Sequence, residues 1–213
     1  VGDGVTDDSA AFASALATGK SVFVPKGTYK VSVDLPSYAK IYGESARNVS
    51  TLIPPNGASY VFRLDGTSGA KIFCQIKDLA FTNPNSVANV TAIVFKGTDV
   101  NSINDQHSLE NLYFAGYYKT FDITGRLIAC CFKNIVSEGG GTYGITSVTD
   151  PVNVAFINNL FENVQFYNSQ KEAMRIIGVN VTNNFINCAF QSANTLDVAG
   201  VAAVYIEDSQ MIN

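Results

Sequence analysis

The hydrophobic positions of this chain recur as separate copies of one short pattern. Five segments share the order apolar, any residue, Asn or Asp, apolar, any residue, Phe or Ser, and they begin at positions 76, 109, 132, 161 and 185. The intervals are therefore 33, 23, 29 and 24 residues. The clearest copy is Phe161-Glu-Asn-Val-Gln-Phe166. Repeats of this length with variable gaps are typical of a solenoid whose turns carry loops of different length.

A second strand-like segment recurs between these copies and usually ends in Gly. Its copies begin at Val61, Ala92, Thr120, Ala173 and Ala203, with a weaker copy at Tyr143. The loops that separate the two kinds of segment are Thr82–Thr91, Ala115–Lys119, Glu138–Thr142, Tyr167–Glu172 and Gln191–Ala202. Each coil is therefore predicted to contain two strands, a variable loop between them and a turn made by Gly.

The first sixty residues have a different pattern. Residues 7–19 predict a short helix with Asp7 or Asp8 as its N-cap and Gly19 as its stop. Its apolar face is formed by Phe12, Ala15 and Leu16. Strands are predicted at 21–25, 29–33, 39–42 and 51–53. A helix at this end would cover the open edge and the exposed core of the first coil.

The pattern thus predicts one all-β domain over residues 1–213, a single-stranded right-handed parallel β-helix with a short N-terminal capping α-helix. Residues 1–60 form the cap and first coils, and residues 61–213 form the regular coils. The right hand follows from the crossover rule for parallel strands. Since the chain starts at Val1 without Met or a signal peptide, we expect a fragment of a longer protein.

The composition of the chain excludes several classes of binding partner. Hydrophobic residues make up 46% of the chain and charged residues 15%, but no run is long enough to span a membrane. The formal charge of −4 argues against a nucleic-acid-binding domain. The four cysteines follow no metal-ligand spacing and are expected as buried free thiols, made in a reducing compartment. His107, the single histidine, is expected at the surface, and no metal or other cofactor is expected.

Aligning the copies gives columns of residues that should stack from coil to coil. The Asn column is Asp78, Asn111, Asn134, Asn163 and Asn187, which we expect to form a buried structural ladder. The outward charge column is Lys77, Glu110, Lys133 and Glu162, followed by Ile186. Because its signs alternate, we expect a solvated ion-pair ladder there, with a glycosidase pair of carboxylates as the less favoured alternative.

The third column is chemically mixed and is the main candidate for function. It consists of Arg63, Val94, Asp122, Thr146, Arg175 and Tyr205, and the next outward position ends in Glu207. Asp208 replaces the turn Gly of earlier coils. A local rule broken near the end of a regular run is a sign of function, although a solvated face near a chain end would look the same. We expect Arg175, Tyr205, Glu207 and Asp208 to share one surface.

The opening of the chain resembles a known family. The segments Gly2–Asp8, Ala10–Leu16, Val24–Tyr29 and Ile41–Glu44 are similar to the start of pectate-lyase-like right-handed parallel β-helix proteins, and most similar to bacteriophage tailspikes and capsule depolymerases. The resemblance implies a capping helix, a homotrimer and an active site on the helix face or between subunits. It also implies a virion location, with a secreted bacterial enzyme as the alternative.

The sequence therefore predicts a protein that binds and depolymerises a bacterial capsular, O-antigen or exopolysaccharide, with neither nucleic acid nor membrane insertion involved. The alternative is a non-catalytic structural or adhesive segment. The candidate catalytic residues are Glu207, Asp208 and Asp122. The candidate substrate-binding residues are Arg175, Tyr205, Tyr113, Tyr117, Tyr118 and Tyr167, because aromatic rings stack on sugars. Hydrolysis needs two carboxylates, whereas elimination needs a base and a cation, for which Arg175 and Tyr205 are the pair to test.

Overall fold

The computed structural model describes residues 1–47, 49–84, 89–99, 101–138, 143–147, 155–191 and 203–208, with the backbone alone at 147, 179–181 and 206–208. The elements in chain order are β1 (Asp3–Asp7), α1 (Ser9–Ala17), β2 (Val22–Val24), β3 (Gly27–Lys30), β4 (Val33–Asp34), β5 (Lys40–Gly43), β6 (Ser50–Ile53), β7 (Tyr60–Asp65), β8 (Lys71–Ile72), β9 (Gln75–Thr82), β10 (Thr91–Lys96), β11 (Ile103–Asp105), β12 (Ser108–Ala115), β13 (Lys119–Ile123), β14 (Arg126–Ile128), β15 (Cys131–Glu138), β16 (Tyr143–Ser147), β17 (Ala155–Ile157), β18 (Leu160–Tyr167), β19 (Met174–Val181), β20 (Asn184–Ile186), β21 (Ala189–Gln191) and β22 (Val204–Asp208).

The strands of the described residues pair in parallel and form three faces of a β-helix. The first face has the order β1-β3-β6-β9-β12-β15-β18-β20, with β2, β5 and β21 paired beside it. The second face has the order β4-β7-β10-β13-β16-β19-β22. The third face has the order β8-β11-β14-β17, followed by the end of β19. Strand β19 pairs with both β16 and β17, so it turns the corner between the second and third faces. The predicted parallel β-helix is confirmed.

The third face corrects the prediction of two strands per coil. Its strands β8, β11, β14 and β17 hold only two or three residues each, which is too short to show an alternating pattern. The predicted Gly turns lie where the chain passes from the second face to the third. Gly97 and Gly125 meet there so closely that a Cβ on either would lie 2.6–2.7 Å from the other's Cα.

The interior is filled by stacked side chains from the repeat. The sixth position of the first-face repeat contributes Phe81 and Phe114, whose ring centroids lie 4.8 Å apart. The first position contributes Phe132 and Phe161, stacked at 4.5 Å. At the N-terminal end, α1 covers this core with Phe12 and Leu16, both buried, as predicted. Burial of such rings supplies the main favourable term for folding.

The Asn column forms the predicted ladder, but it is not buried. Asn134 donates to Asn111 Oδ1 at 2.9 Å, and Asn163 donates to Asn134 Oδ1 at 3.0 Å. Every residue of the column has a left-handed backbone, with φ between 51° and 58°. Asn134 is exposed and Asn163 half-buried because this bend lies at an outer corner of the first face. Asn is favoured there since it tolerates the left-handed conformation and bonds to its own copy.

Replacing Asn134 tests the two roles of the ladder separately. We expect Asn134→Ala to lower the free energy of unfolding by about 2 kcal/mol, because it loses ladder hydrogen bonds and places a Cβ residue at positive φ. Asn134→Gly keeps the backbone conformation and should cost about 1 kcal/mol less than the Ala variant. Urea denaturation measures both. Equal losses in the two variants would show that backbone strain has no part in the effect.

The charge column also stacks as predicted. Glu110 lies in register with Lys77 on one side and Lys133 on the other, and Lys133 with Glu162. Lys133 Nζ lies 3.1 Å from Glu162 Oε2. Opposite charges therefore face each other across neighbouring strands, as in the expected ion-pair ladder.

A further interior column was not predicted, and it corrects the expectation for His107. After each corner residue with positive φ, the next side chain turns inward: Ala39, Cys74, His107, Cys130, Asn159 and Asn183. His107 is 1% exposed, and its Nδ1 accepts the Cys74 N–H at 3.1 Å. The His107 N–H in turn donates to Cys130 Sγ at 3.4 Å. His107 is therefore a structural residue of the core.

The cysteines are free, as predicted, and two are fully buried. Burial raises the pKa of Cys74 to about 11 and that of Cys130 to about 12. Cys131 and Cys188 are only partly buried. Thiols with such raised pKa values are poor nucleophiles, so Cys74 and Cys130 act as packing residues.

Candidate functional site

The third column lies in register along the second face, and we call it the second-face strip: Arg63, Val94, Asp122, Thr146, Arg175 and Tyr205. It crosses β7, β10, β13, β16, β19 and β22, so it is about 24 Å long at ~4.8 Å per strand. Thr146 keeps its predicted register with Asp122 and Arg175, but its side chain is buried. The strip is therefore a continuous surface with one buried position near its middle.

Ion pairs orient the charged side chains in the N-terminal half of the strip. Arg63 binds both carboxylate oxygens of Asp34, at 2.7 and 2.6 Å, and its guanidinium lies 4.7 Å from the Tyr60 ring centroid. Lys96 Nζ contacts Asp65 Oδ2 at 2.9 Å. Burial raises the pKa of Asp65, but hydrogen bonds from Thr67 and Lys96 outweigh it and hold that pKa at about 2. An open groove of about 340 Å³ lies here, lined in part by Tyr60, Arg63, Lys96 and Asp122.

The structure separates one candidate catalytic residue from the other two. Asp122 Oδ1 accepts a hydrogen bond from Lys119 Nζ at 2.9 Å. Asp122 lies on strand β13, three strands away from β22, which carries Glu207 and Asp208. At ~4.8 Å per strand, β13 and β22 are about 14 Å apart. That distance exceeds the about 6.5–9.5 Å between the carboxylates of an inverting glycosidase. This distance of about 14 Å joins strands and not carboxylates, so Asp122 as the partner of Glu207 stays a prediction. The side chains of Glu207 and Asp208 lie outside the described residues.

The C-terminal half of the strip pairs a cation with an aromatic ring, as predicted. The Arg175 guanidinium lies 5.2 Å from the Tyr205 ring centroid, and its Nη1 donates to Glu172 Oε1 at 2.7 Å. Glu172 is 2% exposed, so this buried carboxylate fixes the orientation of Arg175. Glu172 lies in a variable loop, so the repeat pattern does not mark it; the only indication in the sequence is its position three residues before Arg175.

Two further aromatic rings flank the strip. Tyr118 makes an edge contact with Tyr143 at 6.0 Å, and Lys171 Nζ lies 5.7 Å from the Tyr143 ring centroid. Together with Tyr60–Arg63 and Arg175–Tyr205, this gives three cation–aromatic pairs on or beside the strip within the described residues. Such pairs present flat rings held in fixed orientations, which suits stacking on sugar rings.

The remaining predicted binding residues lie elsewhere. Tyr117 is 2% exposed, and its hydroxyl donates to the Thr82 carbonyl at 3.0 Å. This corrects its prediction as a surface residue, because the chain turns it into the core after Gly116. Burial raises the pKa of Tyr117 well above its usual value. Tyr113 and Tyr167 lie on the first face, and so the predicted binding residues divide between two faces.

Tyr113 and Tyr167 line an open groove of about 580 Å³, which we call the first-face groove. Its lining residues are Arg47, Tyr113, Ala115, Glu138, Gln165, Tyr167 and Asn168. Sequence reasoning missed Arg47 and Glu138 as site residues. Arg47 reaches Glu138 from 91 positions away, which no local pattern encodes.

Neither surface offers a metal site in the part of the chain that the structure describes, where no cluster of three His, Cys, Asp or Glu side chains is placed to hold an ion. Among the same residues, no helix is both long and apolar enough to cross a membrane.

A family model and one solved structure support the architecture. A family model described as rhamnogalacturonase A/epimerase, pectate lyase-like, matches residues 1–199. A comparison with curated proteins gives no match. The solved structure of ORF18 from Geobacillus virus E2 is similar with a TM-score of 0.62 and 14% identity, over 97% of this chain and 44% of that one. The pre-mature gene product 12 of bacteriophage phi29 gives a TM-score of 0.31 and 16% identity, over 84% of this chain and 36% of that one. This chain thus spans less than half of either structure.

Proposed function

The chain belongs to the rhamnogalacturonase A/epimerase, pectate lyase-like family, and from that premise we propose that it binds and depolymerises a bacterial cell-surface polysaccharide. The observation that carries the proposal is the row of three cation–aromatic pairs on or beside the second-face strip. At about 24 Å, the strip is long enough to contact several units of a linear sugar chain. We also propose a place for this chain in a virion, as part of a homotrimer; the viral origin of the similar ORF18 structure supports the first of these.

The physical basis of binding is a prearranged surface. Arg63 and Arg175 are each held by a carboxylate, at 2.6 and 2.7 Å, before any ligand arrives. Rings and guanidinium groups that are already oriented lose little conformational freedom on binding. The paired charges also leave the strip close to neutral, which suits the hydroxyl groups of a polysaccharide as hydrogen-bond partners.

Incubation with a panel of capsular, O-antigen and exopolysaccharides tests the proposal. New reducing ends indicate hydrolysis, and new absorbance from an unsaturated uronate indicates elimination. Binding without either product across the panel would support the non-catalytic, adhesive function instead. Absence of both binding and products would overturn the polysaccharide assignment. Light scattering of the full-length protein tests the homotrimer.

Glu207 and Asp208 remain the candidate catalytic pair. We expect the double variant Glu207→Gln with Asp208→Asn to lose at least about 100-fold in turnover, because removal of an acid–base group typically costs that much. Glu110→Gln is the control, since it removes a carboxylate of the first-face charge column, away from the second-face strip. Unchanged turnover in the double variant would remove Glu207 and Asp208 from the catalytic residues.

A further inference from the structure

The first-face groove gathers groups of complementary chemistry around one open space. Tyr113 Oη donates to Glu138 Oε2 at 3.0 Å, and Arg47 Nη2 donates to Glu138 Oε1 at 3.3 Å. Tyr167 Oη donates to Gln165 Oε1 at 2.7 Å. Two phenol rings, a carboxylate, a guanidinium and two side-chain amides thus line about 580 Å³ of open space, with the guanidinium of Arg47 5.3 Å from the Tyr113 ring centroid. Rings for stacking beside polar groups for hydroxyls are the combination that a sugar requires.

The charges of the groove select an uncharged ligand. Its cation, Arg47, and its carboxylate, Glu138, already pair with each other. This pair is 67% and 43% exposed, so its contribution to stability is small, but it leaves the groove with no net charge to attract an ionic ligand. Burial and the hydrogen bond to Glu138 raise the pKa of Tyr113, so its hydroxyl stays a neutral donor.

The interior repeat is interrupted directly beneath the groove. The sixth repeat position is Phe81, Phe114, Phe166 and Phe190 in other coils, but Ser137 in β15. Ser137 Oγ lies 2.7 Å from Thr120 Oγ1, and both line a small pocket of about 10 Å³. That pocket shares Glu138 and Tyr167 with the groove. A volume of this size holds about one water molecule. Polar side chains therefore lie below the groove, at the place where other coils have a phenyl ring. Loss of the regular core residue here is an independent sign that the site has a role beyond packing.

We propose that the first-face groove is a second glycan-binding site, which takes an uncharged sugar unit. The proposal goes beyond the proposed function, because the groove shares no residue with the second-face strip. Tyr113, Glu138 and Tyr167 project from β12, β15 and β18, whereas the strip lies on the neighbouring face. A chain with both sites would hold a branched or folded polysaccharide at two points and gain avidity from the second contact.

Binding to an array of bacterial capsular and O-antigen polysaccharides and their neutral oligosaccharides tests the inference. We expect Tyr167→Ala to weaken binding to neutral glycans about tenfold, whereas Tyr167→Phe, which keeps the ring, stays close to wild type. Tyr42→Ala, which removes an exposed ring outside both surfaces, should leave those neutral signals unchanged. Far-UV circular dichroism checks that each variant is folded.

Three other results would each contradict the proposed glycan site in the first-face groove. If Tyr167→Ala and Glu138→Gln bind every glycan as the unaltered chain does, the groove is not a glycan site, while the proposed function stands. If Tyr167→Ala changes the sedimentation coefficient instead, the groove holds another copy of the chain and the glycan assignment is wrong. A wild-type chain that binds no glycan on the array overturns both the inference and the proposed function.

Discussion

Phe161→Ala is expected to lower the free energy of unfolding by about 3–5 kcal/mol. Phe161 is 1% exposed and stacks on Phe132 at 4.5 Å and on Phe185 at 5.0 Å. Its ring also contacts Phe156 at 5.6 Å. Removing it leaves a cavity between coils whose backbones are fixed by parallel pairing, so neighbouring rings cannot close the space. Urea denaturation followed by circular dichroism measures the loss.

The chain itself supplies the control for this substitution. The equivalent position in β12 is Leu109, which is also 1% exposed. Phe161→Leu should therefore keep a residue that the coil geometry already accepts, and it should cost about 1.5 kcal/mol or less. If the Leu variant loses as much stability as the Ala variant, ring stacking rather than filled volume is what stabilises this column.

The repeat predicted more of the fold than of the site. In a solenoid, aligned sequence positions become neighbours across strands, so the Asn, charge and mixed columns could each be read from the sequence before any contact was known. Glu110 and Lys133 illustrate this, since both the register and the alternation of charge follow from the copies alone. The third face was not predicted, because strands of two or three residues show no periodic pattern.

Turns of the backbone at the corners of the coils explain most of the wrong predictions of side-chain burial. Strand alternation predicts inward and outward side chains only while the backbone stays extended. At Gln106 the backbone turns left-handed with φ 54°, and the following residue, His107, points inward. Gly116, with φ 78°, has the same effect on Tyr117. A sequence pattern with a period of two residues does not show where the backbone turns in this way, so both residues were wrongly predicted at the surface.

The site was harder to predict because its residues come from different coils and loops. Tyr113 and Tyr167 were predicted as exposed binding rings; they are half-buried and lie on a different face from Arg175 and Tyr205. Arg47 completes the first-face groove from a loop before β6. Loop conformation depends on long-range contacts, and the repeat carries no information about it.

Acidification from pH 7 to pH 4 is expected to remove about 3 kcal/mol of stability through His107 alone. Burial lowers the pKa of His107 from 6.5 to about 4. The unfolded chain therefore takes up a proton near pH 6.5, whereas the folded chain stays neutral until about pH 4. Stability from this group is complete above pH 7 and falls as the pH drops through that window. Hydrogen bonds lower the pKa of Asp3 to about 2. The pKa of Asp65 is also about 2, because its hydrogen bonds outweigh the effect of burial. These two carboxyl groups therefore affect stability only below about pH 4.

His107→Asn is the matched variant, because Asn159 occupies the equivalent corner one coil further than Cys130. Asn159 Oδ1 accepts the Cys130 N–H at 3.0 Å, just as His107 Nδ1 accepts the Cys74 N–H at 3.1 Å. The variant should keep the acceptor and lose the titration, so its free energy of unfolding should vary little between pH 4.5 and pH 7. Urea titrations across this range compare the slopes rather than the absolute stabilities. Parallel slopes in the two proteins would show that other groups cause the acid sensitivity, and that His107 is not the titrating residue.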